Sequence, residues 1–241
     1  MTDKMITPKK KSKSKKPANA RIFFILDRSG SMSSIKEETI GGFNAFLAGQ
    51  KEVPGKVTVS LVQFDHEYLV VHDNVPLENV PDLNASTFQP RGYTALYDAV
   101  GRTISTFKDE NPKNTKTIVA ILTDGQENAS KEYTYAKVKE LISGVEGEHG
   151  WEVLFLGTNM DARSVGTSMG IKASNSVTFD YTKTGTLDAM TAVNFATSSM
   201  RGASFNYADG ACSAAAGVDM SKLYDDIKNK SVTANTPSDK K

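Results

Sequence analysis

The sequence predicts an α/β fold: a doubly wound, mostly parallel sheet with one antiparallel edge strand and helices on both faces. Three observations lead there. The runs "RIFFIL" (21–26), "TIVAILT" (117–123) and "WEVLFLG" (151–157) are short and nearly continuously apolar, as strands covered on both faces are. Between them, apolar positions recur at helical spacing. A further pair of runs, "KVTVSLVQF" (56–64) and "EYLVVHD" (67–73), is separated only by Asp65 and His66. That is too little chain for a crossover, so the pair is an antiparallel hairpin at a sheet edge.

From the N-terminus, residues 1–20 carry seven lysines against the single Asp3. The stretch "PKKKSKSKKPANA" offers no apolar face to bury, so residues 1–19 are expected to be a disordered, lysine-rich arm. The first strand follows and ends on Asp27. Ile40, Phe43 and Leu47 mark the first helix, with Ser34 and Glu37 spaced as a capping box. After the hairpin, Leu96, Val100, Ile104 and Phe107 mark the second helix, and the next strand ends on Asp124. Val138, Leu141, Ile142 and Val145 form the inward stripe of a third helix; Leu187, Met190, Val193 and Met200 form that of a fourth. Strands and helices alternating through right-handed crossovers wind one domain over residues 20–202. Residues 203–241 end in the polar "SVTANTPSDKK" and are expected to be a mostly flexible extension.

Composition narrows the function. With 39% hydrophobic and 24% charged residues, the chain reads as one ordinary globular domain. Its single cysteine, Cys212, excludes an internal disulfide framework and a multi-cysteine zinc site. No apolar run approaches the roughly 20 residues that span a bilayer, and "RIFFIL" is too short for a secretory signal. A cytoplasmic protein with no membrane role is the expectation. The arm takes most of the positive charge and leaves the body mildly acidic, so nucleic acid or another anionic surface is an open partner for the arm alone.

The chemistry lies at "FILDRSGSM" (24–32), where an apolar strand ends on a carboxylate followed by two alternate hydroxyls. In a doubly wound sheet the ligand crevice lies outside the carboxyl ends of the parallel strands. Topology therefore brings Asp27 and Asp124, 97 positions apart, to one rim. Two carboxylates side by side repel unless a proton or a cation lies between them. Thr94, in "QPRGYTALYDAVG", is by itself an N-cap.

Together "DRSGSM", "GYTALYDAV" and "ILTDG" resemble the metal-ion-dependent adhesion site (MIDAS) of von Willebrand factor type A domains, a pattern of Asp-x-Ser-x-Ser with a distant Thr and a distant Asp. The resemblance covers roughly residues 20–202. "GWEVLFLGTNMDA" and "SVTFDYTKTGTLDAMTAVNFATSSMRG" are similar to the small stand-alone members of bacteria and their phages. Tyr93 departs from the family, which often has a second glycine before the threonine. The resemblance implies that Ser29 and Ser31 ligate Mg²⁺ or Mn²⁺ directly, that Thr94 does so in the ligand-bound arrangement, and that Asp27 and Asp124 hold the ion directly or through water. It further implies a partner protein that offers an Asp or Glu carboxylate to the ion, and at family level an association with AAA+ ATPases. Neutral hydroxyls leave such an ion electrophilic. Gly30 and Gly125 are expected to let the chain pass close to it.

Arg28, Arg91, Tyr93, Gln126, Glu127 and Asn159 lie in loops at the strand ends, where a partner lands; Ser33 is beside them. His66, His72 and His149 are placed away from this rim and carry no ligand role, and Met169, Met190 and Met200 read as core. Catalysis is not expected. There is no Gly-x-Ser-x-Gly nucleophile elbow, position 29 is serine where a haloacid-dehalogenase-like phosphotransferase has its second Asp, and no glycine-rich phosphate loop with its lysine occurs. The reading is a divalent-metal-dependent protein-binding module. The competing reading is a structural or assembly scaffold that uses the basic arm on an anionic surface.

Overall fold

In a computed structural model of the chain, the described residues are 19–110, 112–202, 205–207, 210–212 and 218–234. The strands are β1 (Asn19–Asp27), β2 (Val57–Phe64), β3 (Tyr68–Pro76), β4 (Thr115–Thr123), β5 (Glu152–Gly157) and β6 (Ser176–Thr178), with a separate short antiparallel pair, β7 (Phe205–Tyr207) and β8 (Gly210–Cys212). The helices are α1 (Lys36–Lys51), α2 (Leu96–Phe107), α3 (Tyr135–Glu148), α4 (Ala162–Ser168), α5 (Lys183–Met200) and α6 (Met220–Ala234). Among the described residues, six strands form one sheet in the order β3-β2-β1-β4-β5-β6. All its pairings are parallel except that of β2 with β3, which is the expected edge hairpin.

The apolar runs are continuous because each central strand feeds two cores. Phe24, Leu26, Ile118, Ala120 and Leu122 pack with residues of α1, α5 and α6 on one face. Phe23, Ile25, Val119 and Ile121 pack with α2 and α3 on the other. Ring contacts fix the layers: Phe24 meets Phe43 edge-on at 5.2 Å, and Phe23 stacks on Trp151 at 5.9 Å. From β1 the chain moves to β2 on one side and later to β4 on the other, so the rim between β1 and β4 is the point at which the strand order reverses.

Several expectations are corrected. Ser34 and Glu37 form no capping box: the chain enters α1 through a 3₁₀ turn over Gly30–Ile35, and no side chain caps the helix. Ser34 Oγ turns instead to the Ser31 carbonyl (3.3 Å) and the Tyr181 hydroxyl. Leu187 points outward, 44% exposed, while Met190 and Val193 do enter the core. Within residues 203–241, the described α6 is packed against the domain. Val218, Met220, Leu223, Tyr224 and Ile227 are buried in the α1/α5 core, because α6 repeats apolar residues at helical spacing. The lysine-rich arm lies outside the described residues except for Asn19, which already opens β1. No described helix is long and apolar enough to cross a membrane.

One buried cation ties the helices of the first face together. Arg201, fully buried just beyond α5, donates through Nη1 to Gln50 O and Oε1 (both 2.8 Å) and through Nη2 to Val53 O (2.7 Å), at the C-terminal end of α1. Burial pulls its guanidinium down to about 10. Carbonyls at a helix C-terminus carry partial negative charge and lack intrahelical donors, so they offset part of the desolvation. Arg201→Met keeps the bulk and removes the charge, yet takes the guanidinium donor from Gln50 Oε1 and Val53 O, while Gln50 O keeps its bond from Val53 N. It should destabilise the fold by about 2 kcal/mol, read as a lower urea midpoint at unchanged slope; an unchanged midpoint would show the guanidinium to be dispensable.

Candidate metal centre

β1 and β4 run parallel with Leu26 opposite Leu122, so Asp27 stands beside Thr123 and Asp124 lies one residue beyond. Asp27, Ser29, Thr94 and Asp124 are all buried, whereas Ser31 is exposed. Asp27 is held on both oxygens: Oδ1 accepts from Ser29 N (2.6 Å) and Oδ2 from Thr123 Oγ1 (2.5 Å). Asp124 Oδ1 accepts from Ser31 Oγ (2.7 Å) and, at the long limit of 3.5 Å, from Ser29 Oγ; the two serine oxygens are 3.2 Å apart. Asp124 Oδ2 is buried and has no hydrogen-bond partner.

Thr94 joins this group from a different loop. Its amide donates to Asn128 Oδ1 (2.9 Å) and its carbonyl accepts from Asn128 N (3.0 Å), which clamps it to the loop after β4. A Cβ on Gly125 would come within 2.8 Å of Thr94 Oγ1, so glycine is what lets the threonine hydroxyl approach the end of β4. Gly30 is different: a Cβ there would meet only Gly92 O, at an ordinary 3.5 Å, so no close approach demands it.

Burial raises the Asp27 carboxyl to about 7, against the lowering effect of its bonds from Thr123 and Ser29 and with a further push from the Asp124 charge. Burial raises Asp124 as well, and the hydroxyls of Ser31, Tyr181 and Ser29 act against it. The phenol of Tyr181 gives its proton to the Ser31 carbonyl (2.6 Å), so its effect on Asp124 leaves Oδ2 without a donor. Two buried carboxylates, each destabilised as anions, with one oxygen orphaned and three hydroxyl oxygens alongside, fit a small hard divalent cation. They do not fit a softer site: among the described residues no three His, Cys, Asp or Glu side chains cluster as metal ligands.

The surrounding residues divide into two sets. Tyr93 (69% exposed), Gln126 and Asn159 lie open at the rim, and Asn159 also donates to Asp124 O at 3.3 Å. Glu127 is not free for a partner, since its two carboxylate oxygens accept from the amides of Tyr97, Ala129 and Ser130 and from Ser130 Oγ. Arg28 is buried and pairs with Asp65 (Nε to Oδ2, 3.2 Å). Arg91 binds the same Asp65 oxygen at 2.9 Å and also pairs with Glu67. Ser33 spends its hydroxyl on Gly30 O.

His66 corrects the sequence reading, because it lies at this rim. β2 is parallel to β1, so the turn after it reaches the same edge; the imidazole packs on Gly92, where a Cβ would clash at 2.2 Å, and meets the Tyr93 ring at 6.4 Å. Asp65, Asn128 and Tyr181 are the residues that sequence reasoning missed. The signal for Asp65 was its place directly after a parallel strand, the same signal that marks Asp27 and Asp124.

Residues 22–126 match the family model described as von Willebrand factor type A domain. No curated protein matches the chain by sequence. Solved structures resemble it in fold. Proximal thread matrix protein 1 from the mussel byssus superposes with a TM-score of 0.54 at 14% identity, over 77% of this chain and 47% of that one. The same mussel protein with a zinc-occupied MIDAS motif gives 0.56 at 15% identity, again over 77% and 47%. The pilus adhesin SpaC from Lactobacillus rhamnosus GG, in an open conformation, gives 0.56 at 15% identity, over 78% and 31%. The chain thus spans less than half the length of these proteins. The stretch from Ile22 to Gln126, which contains Asp27, Ser29, Ser31, Thr94 and Asp124, is the part of the chain that is similar to a von Willebrand factor type A domain.

Proposed function

We propose that this chain is a divalent-metal-dependent protein-binding module in which Asp27, Ser29, Ser31, Thr94 and Asp124 hold Mg²⁺ or Mn²⁺ at the sheet rim for an Asp or Glu carboxylate of a partner protein. The observation that carries the reading is Asp124 Oδ2, a buried carboxylate oxygen with no donor, set among hydroxyls at the open end of the sheet. An unpaired buried carboxylate is costly, and a cation is the simplest group that removes the cost. The zinc-occupied motif of the mussel protein supports a divalent ion at the equivalent place.

When bound, the ion supplies an electrophilic position for an anionic oxygen from outside. The chain's own residues do the rest. Thr123 and the Ser29 amide orient Asp27, Asn128 sets Thr94, and the exposed Tyr93, Gln126 and Asn159 frame the landing surface. A binding role is the reading this donor set supports, with Ser29 and Ser31 engaged with Asp124. A cytoplasmic bacterial or phage adaptor, working in some settings beside an AAA+ ATPase, is the setting this reading anticipates.

The test is a pull-down from the host, with Mg²⁺ and with EDTA, followed by exchange of the captured partner's acidic surface residues one at a time for Asn or Gln. Chelator and one such exchange should each abolish capture, and the exchange should not add to Thr94→Ala, because both remove the same contact. Capture that persists undiminished in EDTA would move the function to another surface.

A further inference from the structure

The metal loop is held from outside the five-residue motif, by a segment that the family pattern does not include. Tyr181 lies between β6 and α5, 150 residues beyond Ser31 in sequence, yet its hydroxyl donates to the Ser31 carbonyl at 2.6 Å and pairs with Ser34 Oγ. One phenol therefore grips the 3₁₀ turn Gly30–Ile35 at two points, directly beneath the serine whose side chain donates to Asp124. The turn is pinned on its inner side by the buried Met32 and Ile35 and by the bond from Gly30 N to Gly92 O, but Ser31, Ser33 and Ser34 on its outer side are exposed and no side chain caps it, so Tyr181 is the contact from a distant segment on that side.

Tyr181 is itself fixed from behind. The amide of the preceding Asp180 donates to the hydroxyl of the buried Tyr224 on α6 (2.9 Å), and the Asp180 carboxylate pairs with Lys228, also on α6, at 2.6 Å. Phe179, one residue earlier, is buried and donates its amide to Gly157 O at the end of β5. The phenol is thus presented on a segment anchored to the sheet and to the C-terminal helix.

We propose that Tyr181 is a positioning residue of the metal centre, holding Ser31 in place over Asp124, and that α6 sets the phenol through Asp180. The inference rests on the metal reading above. Residues that orient ligands from outside the ion's contacts typically change metal affinity ten- to hundredfold when altered. Tyr181→Phe removes one oxygen and keeps the ring, so the packing of the segment is retained. Without the phenol, more of the ordering of Ser31 falls to the ion, and that ordering is subtracted from the affinity.

The experiment titrates the full chain with Mn²⁺ alone, with no partner present, by calorimetry at 25 °C, and records thermal melts and amide hydrogen exchange in EDTA. Tyr181→Phe should weaken Mn²⁺ binding by roughly tenfold, melt in EDTA within about 3 °C of the parent, and show faster exchange confined to the turn around residues 30–35. Tyr224→Phe should shift affinity in the same direction by less. Equal Mn²⁺ affinity for parent and Tyr181→Phe would overturn the proposal while leaving the metal site standing. A lowered melt with unchanged affinity would make Tyr181 a structural residue only, and unchanged affinity in Tyr224→Phe would remove α6 from the proposal. If the parent itself takes up no Mn²⁺, both the metal reading and this inference fall together.

Discussion

Replacing Asp124 by alanine is expected to abolish Mg²⁺ and Mn²⁺ binding while leaving the metal-free fold as stable as the parent, or slightly more so. The two halves of that expectation have one origin. Asp124 contributes a buried oxygen without a donor and stands beside the buried Asp27, so the apo protein carries two carboxylates whose charged forms burial disfavours. Removing one relieves their mutual repulsion. What is lost is the bond from Ser31, which is exposed enough to turn to water, and the long one from the buried Ser29, whose hydroxyl keeps Ser31 Oγ as a partner at 3.2 Å. The melt in EDTA should therefore stay within about 3 °C of the parent. Metal affinity should fall by more than the roughly hundredfold expected of an outer, orienting residue, because a direct or water-bridged anionic ligand is gone. Calorimetry with Mn²⁺ and a melt in EDTA check both halves; a large loss of stability in EDTA would make Asp124 a structural carboxylate.

How much of this could be read from the sequence depends on the range of the contacts involved. β1 and β4 were legible because strands buried on both faces leave nearly uninterrupted apolar runs, and each run ended on an aspartate. The edge position of β3 followed from the two-residue turn before it. α6 was passed over although Met220, Leu223, Tyr224 and Ile227 repeat at helical spacing, because they are embedded among polar and charged residues. β6, with three residues, and α4, with seven, are too short to carry a period at all.

At the site the motif residues were legible as types, and their companions were not. Asn128 clamps Thr94 across 34 positions, Tyr181 grips Ser31 across 150, and Glu127 serves the N-terminus of α2 across 30. Each is a polar side chain on a loop, indistinguishable in sequence from a solvated one. Only the meeting of loops at the reversal of strand order gives it a partner. Arg28 illustrates the consequence: a charge next to the motif looks available to a partner, yet it is buried and already neutralised by Asp65.

Asp65 should prove the costliest single side chain to remove at this rim. Its carboxylate is fully buried; Oδ1 accepts from Glu67 N at 2.6 Å, and Oδ2 faces both Arg91 Nε at 2.9 Å and the buried Arg28 Nε at 3.2 Å. Asp65→Ala leaves the Arg28 guanidinium buried with only the exposed Glu67, 3.7 Å away, as a counter-charge. Breaking a buried pair from one side costs about 3–5 kcal/mol, because the remaining charge loses its partner without regaining water. For a domain of this size that corresponds to a drop in melting temperature of roughly 6–20 °C. Arg91→Ala removes a half-exposed, solvent-screened partner and should lower the melt far less than Asp65→Ala does. The metal site should feel Asp65→Ala only in part. The loop that carries Thr94 keeps its backbone bonds from Arg91 N to Arg28 O, from Gly30 N to Gly92 O and from Ala95 N to Asp65 O, none of which needs the lost side chain. Mn²⁺ affinity measured well below the melt should therefore fall by less than in Asp124→Ala. Asp65→Ala and Asp124→Ala thus invert each other's pattern, the first affecting stability more than metal binding and the second metal binding more than stability. An Asp65→Ala protein that melts with the parent would mean that the two arginines are held by Glu67 alone, and that the Asp65 carboxylate anchors nothing.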